Sequence, residues 1–456
     1  MRTVIVGLIL LMLVPAALAK DTLVVLSPHP EGIHYEFMDN FRSWYQRQTG
    51  RDVDVQWLDH GGTSSDLRFI QAEFKTRPDG IGVDVFFGGG TDPYIELKRL
   101  GLLESYKVPD DILDAIAPDI NGVPLYDTDY AWYAATMAGF GIIYNSAVIE
   151  RMGLPQPKVW EDLARPELFG WVGSGDPRKS GSVHMCYEII LQAYGWERGW
   201  QIITALGANV RCFSAGGGQT ARDAAVGEIA CGVVIDFYAW YQIHEAGQEF
   251  MGYVQPQNLT IINGDAMAIL KGAPNREVAQ AFIRFVLSEE GQQLWLLPKG
   301  SPGGPKSYDL ARLTVRPDLY DRLKDRALVS ANPFAAKSKF TYDPALGSSR
   351  YNLVNDLIGT FVIDLHERLA ASWARAIKQG TTETEIQRLA AMPLTELEAT
   401  KLIQEGKWKD AFRARTMLEW TRLAASRYEP ATELPVLLFA LALVFMYVYM
   451  RRRSRA

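Results

Sequence analysis

Apolar residues along this chain recur in two rhythms, one alternating and one near a helical period. Leu23 to Leu26 is a short unbroken apolar run, and Val53-Asp54-Val55-Gln56-Trp57 alternates apolar with polar, so both predict strands. Between them, from Glu36 to Tyr45, Phe37, Phe41 and Trp44 keep a helical spacing. Leu67, Ile70 and Phe74 mark a second helix, followed by a third strand from Val83 to Phe87. Later strands are expected at Gly141 to Tyr144, Gly232 to Ile235 and Ala266 to Leu270. A helix from Val278 to Val286 carries Ala281, Phe282 and Phe285 on one side. Strands alternating with helices predict an α/β fold. From about residue 306 the strand signals thin out. Thr395 with Glu398 forms a capping-box pattern, and Lys401 to Arg427 reads as one amphipathic helix, so 376–433 is expected to be a helical stalk.

The two chain ends carry apolar runs of different kinds. Arg2, the run from Val4 to Leu13, and Ala17-Leu18-Ala19 together have the form of a signal peptide over 1–19, with cleavage expected after Ala19. Lys20 rather than Cys follows, so no lipid-anchored terminus is expected. Leu434 to Met450 is a run of seventeen uncharged, mostly apolar residues, and it predicts a transmembrane helix over 434–450. Arg451, Arg452, Arg453 and Arg455 follow in a basic tail at 451–456. Such arginines favour the cytoplasmic side, which places the bulk of the chain on the periplasmic face of the inner membrane, tethered by its C-terminal helix.

Composition narrows the partners. A net charge of −6 over 456 residues argues against nucleic acid, which calls for a basic face. Cys186, Cys212 and Cys231 are too few and scattered for a disulfide framework; they read as buried apolar residues, with a Cys212–Cys231 bridge left open. The six histidines form no metal-ligand pattern, and no nucleophile elbow, zincin or P-loop motif is present.

The candidate chemistry lies in turns that follow strands. Four stand out: Ser27-Pro28-His29-Pro30, then Gly61 to Asp66 with Gly62, Thr63 and Ser64, then Gly88 to Asp92 with Gly89 and Thr91, and finally Ser180-Gly181-Ser182. Glycine permits close backbone approach, and hydroxyls at a helix start accompany free amides and a partial positive charge, a combination that holds anions. In open α/β sheets ligands sit at the carboxyl ends of strands. Asp236 could meet a cationic group or brace a hinge, and Tyr238 could stack on a ligand. Gly216 to Thr220 reads as a turn with a cap, or else as a further anion cradle. No confident metal ligands emerge; Tyr238 and His29 are the candidates if the ligand is iron.

An ordered series of stretches then carries a resemblance. It runs through Lys179-Ser180-Gly181-Ser182, Gly195-Trp196-Glu197-Arg198-Gly199-Trp200, Ala208-Asn209-Val210 and Val226-Gly227-Glu228-Ile229-Ala230. It continues with Gly264 to Asn275, ending Lys271-Gly272-Ala273-Pro274-Asn275, and with Leu287-Ser288-Glu289-Glu290-Gly291-Gln292. Over roughly residues 20–375 the chain resembles type 2 periplasmic solute-binding proteins of ABC importers, the branch that contains ferric-iron binders. The resemblance implies a two-lobed periplasmic binding protein type II fold, here with a helical C-terminal extension. Lobe 1 would take 20–125, lobe 2 would take 126–260, and 261–375 would return to lobe 1 and begin the extension. It also implies a ligand held between the lobes, no cofactor, no catalysis, and ABC permease subunits in the inner membrane as partners. Ferric binders typically supply two adjacent tyrosines; Phe237-Tyr238 stands where that pair is expected. The expected ligand is therefore a small anion (a phosphorylated, phosphonate or carboxylate metabolite), with ferric iron as the alternative cargo. Two rival functions remain: a membrane-anchored sensor or scaffold, and an exported hydrolase using Ser27 beside His29.

Overall fold

The computed structural model describes residues 20–428, apart from 330, 331 and 336. The expected signal peptide at 1–19, the apolar run at 434–450 and the basic tail at 451–456 lie outside the described residues. Among the described residues no helix is long and apolar enough to cross a membrane.

Twelve strands occur among the described residues: β1 (Asp21–Leu26), β2 (Val53–Leu58), β3 (Val85–Gly90), β4 (Leu103–Glu104), β5 (Asp119–Ile120), β6 (Val123–Pro124), β7 (Tyr133–Asn145), β8 (Val172–Gly175), β9 (Val210–Ser214), β10 (Cys231–Ile235), β11 (Met251–Val254) and β12 (Ile262–Leu270). Their order is β2-β1-β3-β12-β7-β10-β8-β9, with β4 added on β12 and β11 on β7; β5 and β6 pair separately. β1 lies parallel between β2 and β3, and helices Glu31–Thr49 and Thr63–Thr76 form the crossovers. β7 belongs to both halves of the molecule. Its residues from Tyr133 to Gly139 pair with β12, and those from Phe140 onward pair with β10 and β11. β12 brings the chain back against β7 and β3. Two α/β lobes result, joined by these two strands. β7 and β12 are buried almost throughout, which is why they read as near-continuous apolar runs.

Four sequence expectations need correction. The third strand starts at Val85 rather than Val83 and runs through Gly88, Gly89 and Gly90, which were expected to be a turn. Asp84 ends the preceding loop because its carboxylate accepts from the amides of Val24 and Asn275, each at 2.7 Å. All three cysteines are free, and Cys186 and Cys231 are buried as expected, but Cys212 is exposed. Cys212 is on β9 and Cys231 on β10, with β8 between them, so the two strands stand about two sheet spacings (roughly 9–10 Å) apart, beyond disulfide reach. The single amphipathic helix expected from Lys401 to Arg427 is two helices, Glu396–Gln404 and Asp410–Tyr428, broken where Gly406 turns with φ +60°. Where a stalk is expected, helices pack onto the body. Leu389, Ala399, Trp420, Ala424 and Tyr428 are buried, since an apolar stripe this wide is costly to leave in water.

The extension grips both lobes. Helix Pro344–Ile358 lies against helix Thr91–Arg99 of lobe 1 and helix Gly181–Tyr194 of lobe 2. Toward lobe 1, the Tyr351 hydroxyl meets Ser64 Oγ at 2.6 Å, and the Tyr342 hydroxyl donates to Asp92. Toward lobe 2, Arg350 clasps Glu188 through Nη2 (2.8 Å to Oε1) and Nε (3.2 Å to Oε2), and Asn355 Oδ1 lies 2.7 Å from His184 Nδ1. Helices His366–Gln379 and Thr382–Leu389 then pack on the lobe 2 helix Trp196–Asn209, burying Leu369, Trp373 and Leu389.

Candidate functional site

The carboxyl ends of six strands deliver residues to one cavity of about 180 Å³ between the lobes. Lobe 1 supplies His29 after β1, Gly62 and Thr63 after β2, and Gly89 and Gly90 at the end of β3. Lobe 2 supplies Ser180, Gly181 and Ser182 after β8, Gly216 and Gly217 after β9, and Phe237 and Tyr238 after β10. The volume equals roughly six waters, and it falls below the roughly 300–1,000 Å³ of pockets that take drug-sized ligands. It suits a small metabolite.

Helices start at most of these points. Helix Thr63–Thr76 begins after Gly62 and helix Gly217–Ala225 after Gly216, neither with a side-chain cap. Helix Gly181–Tyr194 begins after Ser180, whose Oγ accepts from the Val183 amide. The first amides of an α-helix have no partner within it, so these three starts present free donors and a partial positive charge to the cavity. Gly62 holds φ +121°, and a β-carbon there would lie 2.6 Å from the Lys179 carbonyl oxygen of the opposite lobe. At Gly88, with φ +111°, a β-carbon would press on the His29 ring at 2.6 Å. Only glycine allows both approaches.

Of the residues singled out from sequence, His29, Gly62, Thr63, Gly89, Ser180, Gly181, Ser182 and Tyr238 line the cavity. Four others do not, and their side chains are spent on structure. Ser27 is completely buried, and its Oγ lies 3.2 Å from His29 Nδ1. Ser64 donates to the Pro177 carbonyl at 2.9 Å and meets Tyr351. Thr91 donates to Asn263 Oδ1 at 3.0 Å. Asp236 accepts from the amides of Gly139 and Phe237, each at 2.7 Å, so it braces β7 where the chain crosses between lobes. Burial pushes the Asp236 carboxyl up to about 6 against the pull of those amides and of Arg312.

The floor of the cavity holds groups that sequence reasoning missed: Asn263, Asp265 and Arg312. Asn263 and Asp265 alternate on β12, so they share one face of an otherwise apolar strand, and that pattern was readable. Arg312 lies in an irregular stretch, and no local signal marks it. Arg312 Nη2 is 2.5 Å from Asp265 Oδ2, and its guanidinium stacks 4.1 Å above the Phe237 ring. His29 Nε2 lies 3.0 Å from the same Asp265 oxygen and 3.1 Å from Arg312 Nη1, and Nδ1 lies 3.2 Å from Ser27 Oγ. Burial holds His29 below its ordinary value despite Asp265, so the imidazole is neutral. Burial would raise Asp265, but Arg312 and His29 hold its carboxyl well below the usual range, so it stays ionised. The Ser27–His29–Asp265 array resembles a hydrolytic triad, yet a serine with no exposed atom cannot attack a substrate.

The family model described as "Bacterial extracellular solute-binding protein" matches residues 84–317, half of the chain. This chain belongs to that family. Solute-binding proteins of this kind are receptors of ABC importers rather than enzymes. Their ligand is the transported substrate and they carry no cofactor. This solute-binding protein is 30% identical over 246 residues to an uncharacterised protein of Haemophilus influenzae, covering 53% of this chain and 68% of the relative. It is 27% identical over 198 residues to the phosphoglycerate transport regulatory protein PgtC of Salmonella typhimurium, covering 42% of this chain and 49% of that protein. In fold it matches the periplasmic binding protein AfuA of Actinobacillus pleuropneumoniae, solved with fructose-6-phosphate (TM-score 0.55, 22% identity, 79% of this chain and 99% of that one). It also matches iron-bound HitA of Pseudomonas aeruginosa (TM-score 0.55, 20% identity, 74% and 99%). The solute-binding branch read from the sequence is therefore the right one, and the α/β two-lobed fold with it.

Proposed function

We propose that this solute-binding protein is the extracytoplasmic receptor of an ABC importer for a small phosphorylated metabolite, held at the inner membrane by the apolar run at 434–450. The observation that carries the reading is the meeting of three helix starts, at Thr63, Gly181 and Gly217, on one small cavity, with Thr63, Ser180 and Ser182 supplying hydroxyls. Free amides and hydroxyls bind a phosphate without needing a second lysine or arginine. The names of two similar proteins, one concerned with phosphoglycerate transport and one holding fructose-6-phosphate, agree with that chemistry. A phosphonate presents the same three terminal oxygens to these donors, whereas a carboxylate offers two and fits them less fully.

Ferric iron fits the lining poorly. It needs several hard anionic oxygens. Tyr238 brings one phenol, which burial keeps protonated, and Asp265 is already engaged by Arg312 and His29. Among the described residues no group of three or more His, Cys, Asp or Glu is placed to hold a metal ion.

In the proposed cycle, ligand bridges the lobes and favours the closed form, which docks on the permease. Moving such an equilibrium from 1:99 to 99:1 takes about 5.5 kcal/mol. Charge-assisted hydrogen bonds at about 1.5–3 kcal/mol each supply that from a handful of contacts. Titration calorimetry with 3-phosphoglycerate and fructose 6-phosphate tests the reading. At least one is expected to bind, and Thr63→Ala with Ser180→Ala is expected to weaken it at least tenfold without lowering the melting temperature appreciably. Unchanged affinity in the double variant, or iron rather than a phosphate ester in native mass spectra, would reject it.

A further inference from the structure

The two-lobed receptor mechanism needs the lobes to swing apart about β7 and β12, yet the extension is attached to both of them. A swing that separates the helix starts at Thr63 and Gly181 must also separate Ser64 from Tyr351, Asp92 from Tyr342, and Ser64 from the Pro177 carbonyl. All four of these side chains are buried. Tyr351 further packs in one apolar cluster with Leu67, Ile70, Tyr94 and Leu97 of lobe 1.

The two grips are unequal. On lobe 2 the extension is held by the buried Arg350–Glu188 clasp, by Asn355 on His184, by Trp373 Nε1 donating to Asn209 (2.9 Å), by Trp196 Nε1 donating to the Leu394 carbonyl (2.9 Å), and by three helices packed on Trp196–Asn209. A buried bidentate ion pair resists separation, because parting it strands both charges. On lobe 1 the grip is one helix face, two tyrosine hydroxyls and an exposed Lys75–Asp410 pair at 3.9 Å, which contributes little. Each grip leaves one buried atom unmet, Asp92 Oδ1 on lobe 1 and His184 Nε2 on lobe 2, so the difference lies in the ion pair. The lobe 1 contact holds no buried ion pair, so it is the one that parts at the lower cost.

We propose that the C-terminal extension is a latch: it rides permanently on lobe 2, holds the cleft shut by gripping lobe 1 through Tyr342 and Tyr351, and must release lobe 1 before ligand can enter or leave. The ligand-free receptor then rests closed, unlike a freely hinged one, and exchange is limited by the latch rather than by diffusion. Helix Pro344–Ile358 is tied in turn to the last described helix and the turn before it: Asp356 accepts from Trp408 Nε1 in that turn (2.9 Å) and from both Nε and Nη2 of Arg413 on the helix (2.7 Å each). Release of the latch therefore moves the end of the chain that leads to the apolar run.

The test measures the ligand-free full chain in detergent, so it is independent of whether the cavity takes an anion. Spin labels at Gln48 on lobe 1 and Glu245 on lobe 2, both exposed, report the lobe separation, with Cys212→Ser removing the exposed thiol. The parent protein is expected to show one short distance. Tyr342→Phe with Tyr351→Phe is expected to add a longer population, raising its weight at least tenfold. Tyr342→Phe alone, which removes the Asp92 bond and leaves the direct Ser64–Pro177 bond in place, is expected to move the distribution the same way, and it carries the test if the double variant fails to fold. A parent that already divides its population evenly between short and long distances would overturn the proposal. So would variants that keep the parental distribution.

Discussion

Asp66 shows how far a single residue can set the pH behaviour of the site's walls. It stands in the first turn of helix Thr63–Thr76, where Oδ1 accepts from the His60 amide at 3.1 Å and Oδ2 is buried without a partner. Burial pushes its carboxyl up to about 7, against the pull of the His60 bond. The folded value thus exceeds the ordinary 3.8, so the native state binds more protons than the unfolded chain between about pH 4 and 7. The Asp66 contribution to stability therefore falls as pH rises through that window, while buried His34 and His184, each pulled down to about 4, contribute in the opposite sense. Asp66→Asn abolishes this one titration, so the difference in stability between parent and variant should shift toward the variant as pH rises from about 4 to 7, the contributions of the other buried groups being common to both. Calorimetric melting temperatures of both proteins across the window check it; a parent-to-variant difference that does not change with pH would contradict the assignment. Asp66 was visible in the sequence as one more helix-start residue, but its perturbation was not, because burial comes from Leu67, Ile70 and the elements folded over them.

At the level of elements, the turns after strands do most of the positioning. Their glycines, hydroxyls and following helices were legible because turn chemistry is local. What each turn faces was not. Gly61 and Gly62 look alike in sequence, and both hold positive φ, yet a β-carbon at Gly61 meets open space while one at Gly62 meets the Lys179 carbonyl oxygen of lobe 2. Gly61→Ala should cost only backbone strain, about 1–3 kcal/mol. Gly62→Ala should cost similar strain and also push the lobes apart, weakening phosphate-ester binding at least tenfold more than Gly61→Ala does. Paired melts and calorimetric titrations separate the two effects, and equal affinities would refute the argued contact. The turn from Gly216 to Thr220 teaches the same lesson: a capped turn and an anion cradle have one sequence pattern, and only its place beside Ser180 and Ser182 distinguishes them.

For the whole molecule, the extension is part of the core rather than an appendage. Leu353, Val354, Leu357, Ile358, Phe361 and Val362 join the main apolar cluster. Ending the chain before Pro344 would bare that surface on helix Trp196–Asn209, and the product should be recovered aggregated or protease-sensitive, where an independent stalk could be removed without loss. Limited proteolysis of the truncated chain decides between the two. Periodicity and turn residues by themselves determined the α/β class, most strands and helices, and eight of the residues around the cavity, because each of those depends on neighbours a few positions away. Tertiary structure alone decided that Ser27, Ser64, Thr91 and Asp236 serve as braces, that Arg312 lies on the cavity floor, and that residues 342–428 pack against both lobes. Those outcomes depend on which distant surfaces exclude water together, and no local pattern in a sequence encodes that.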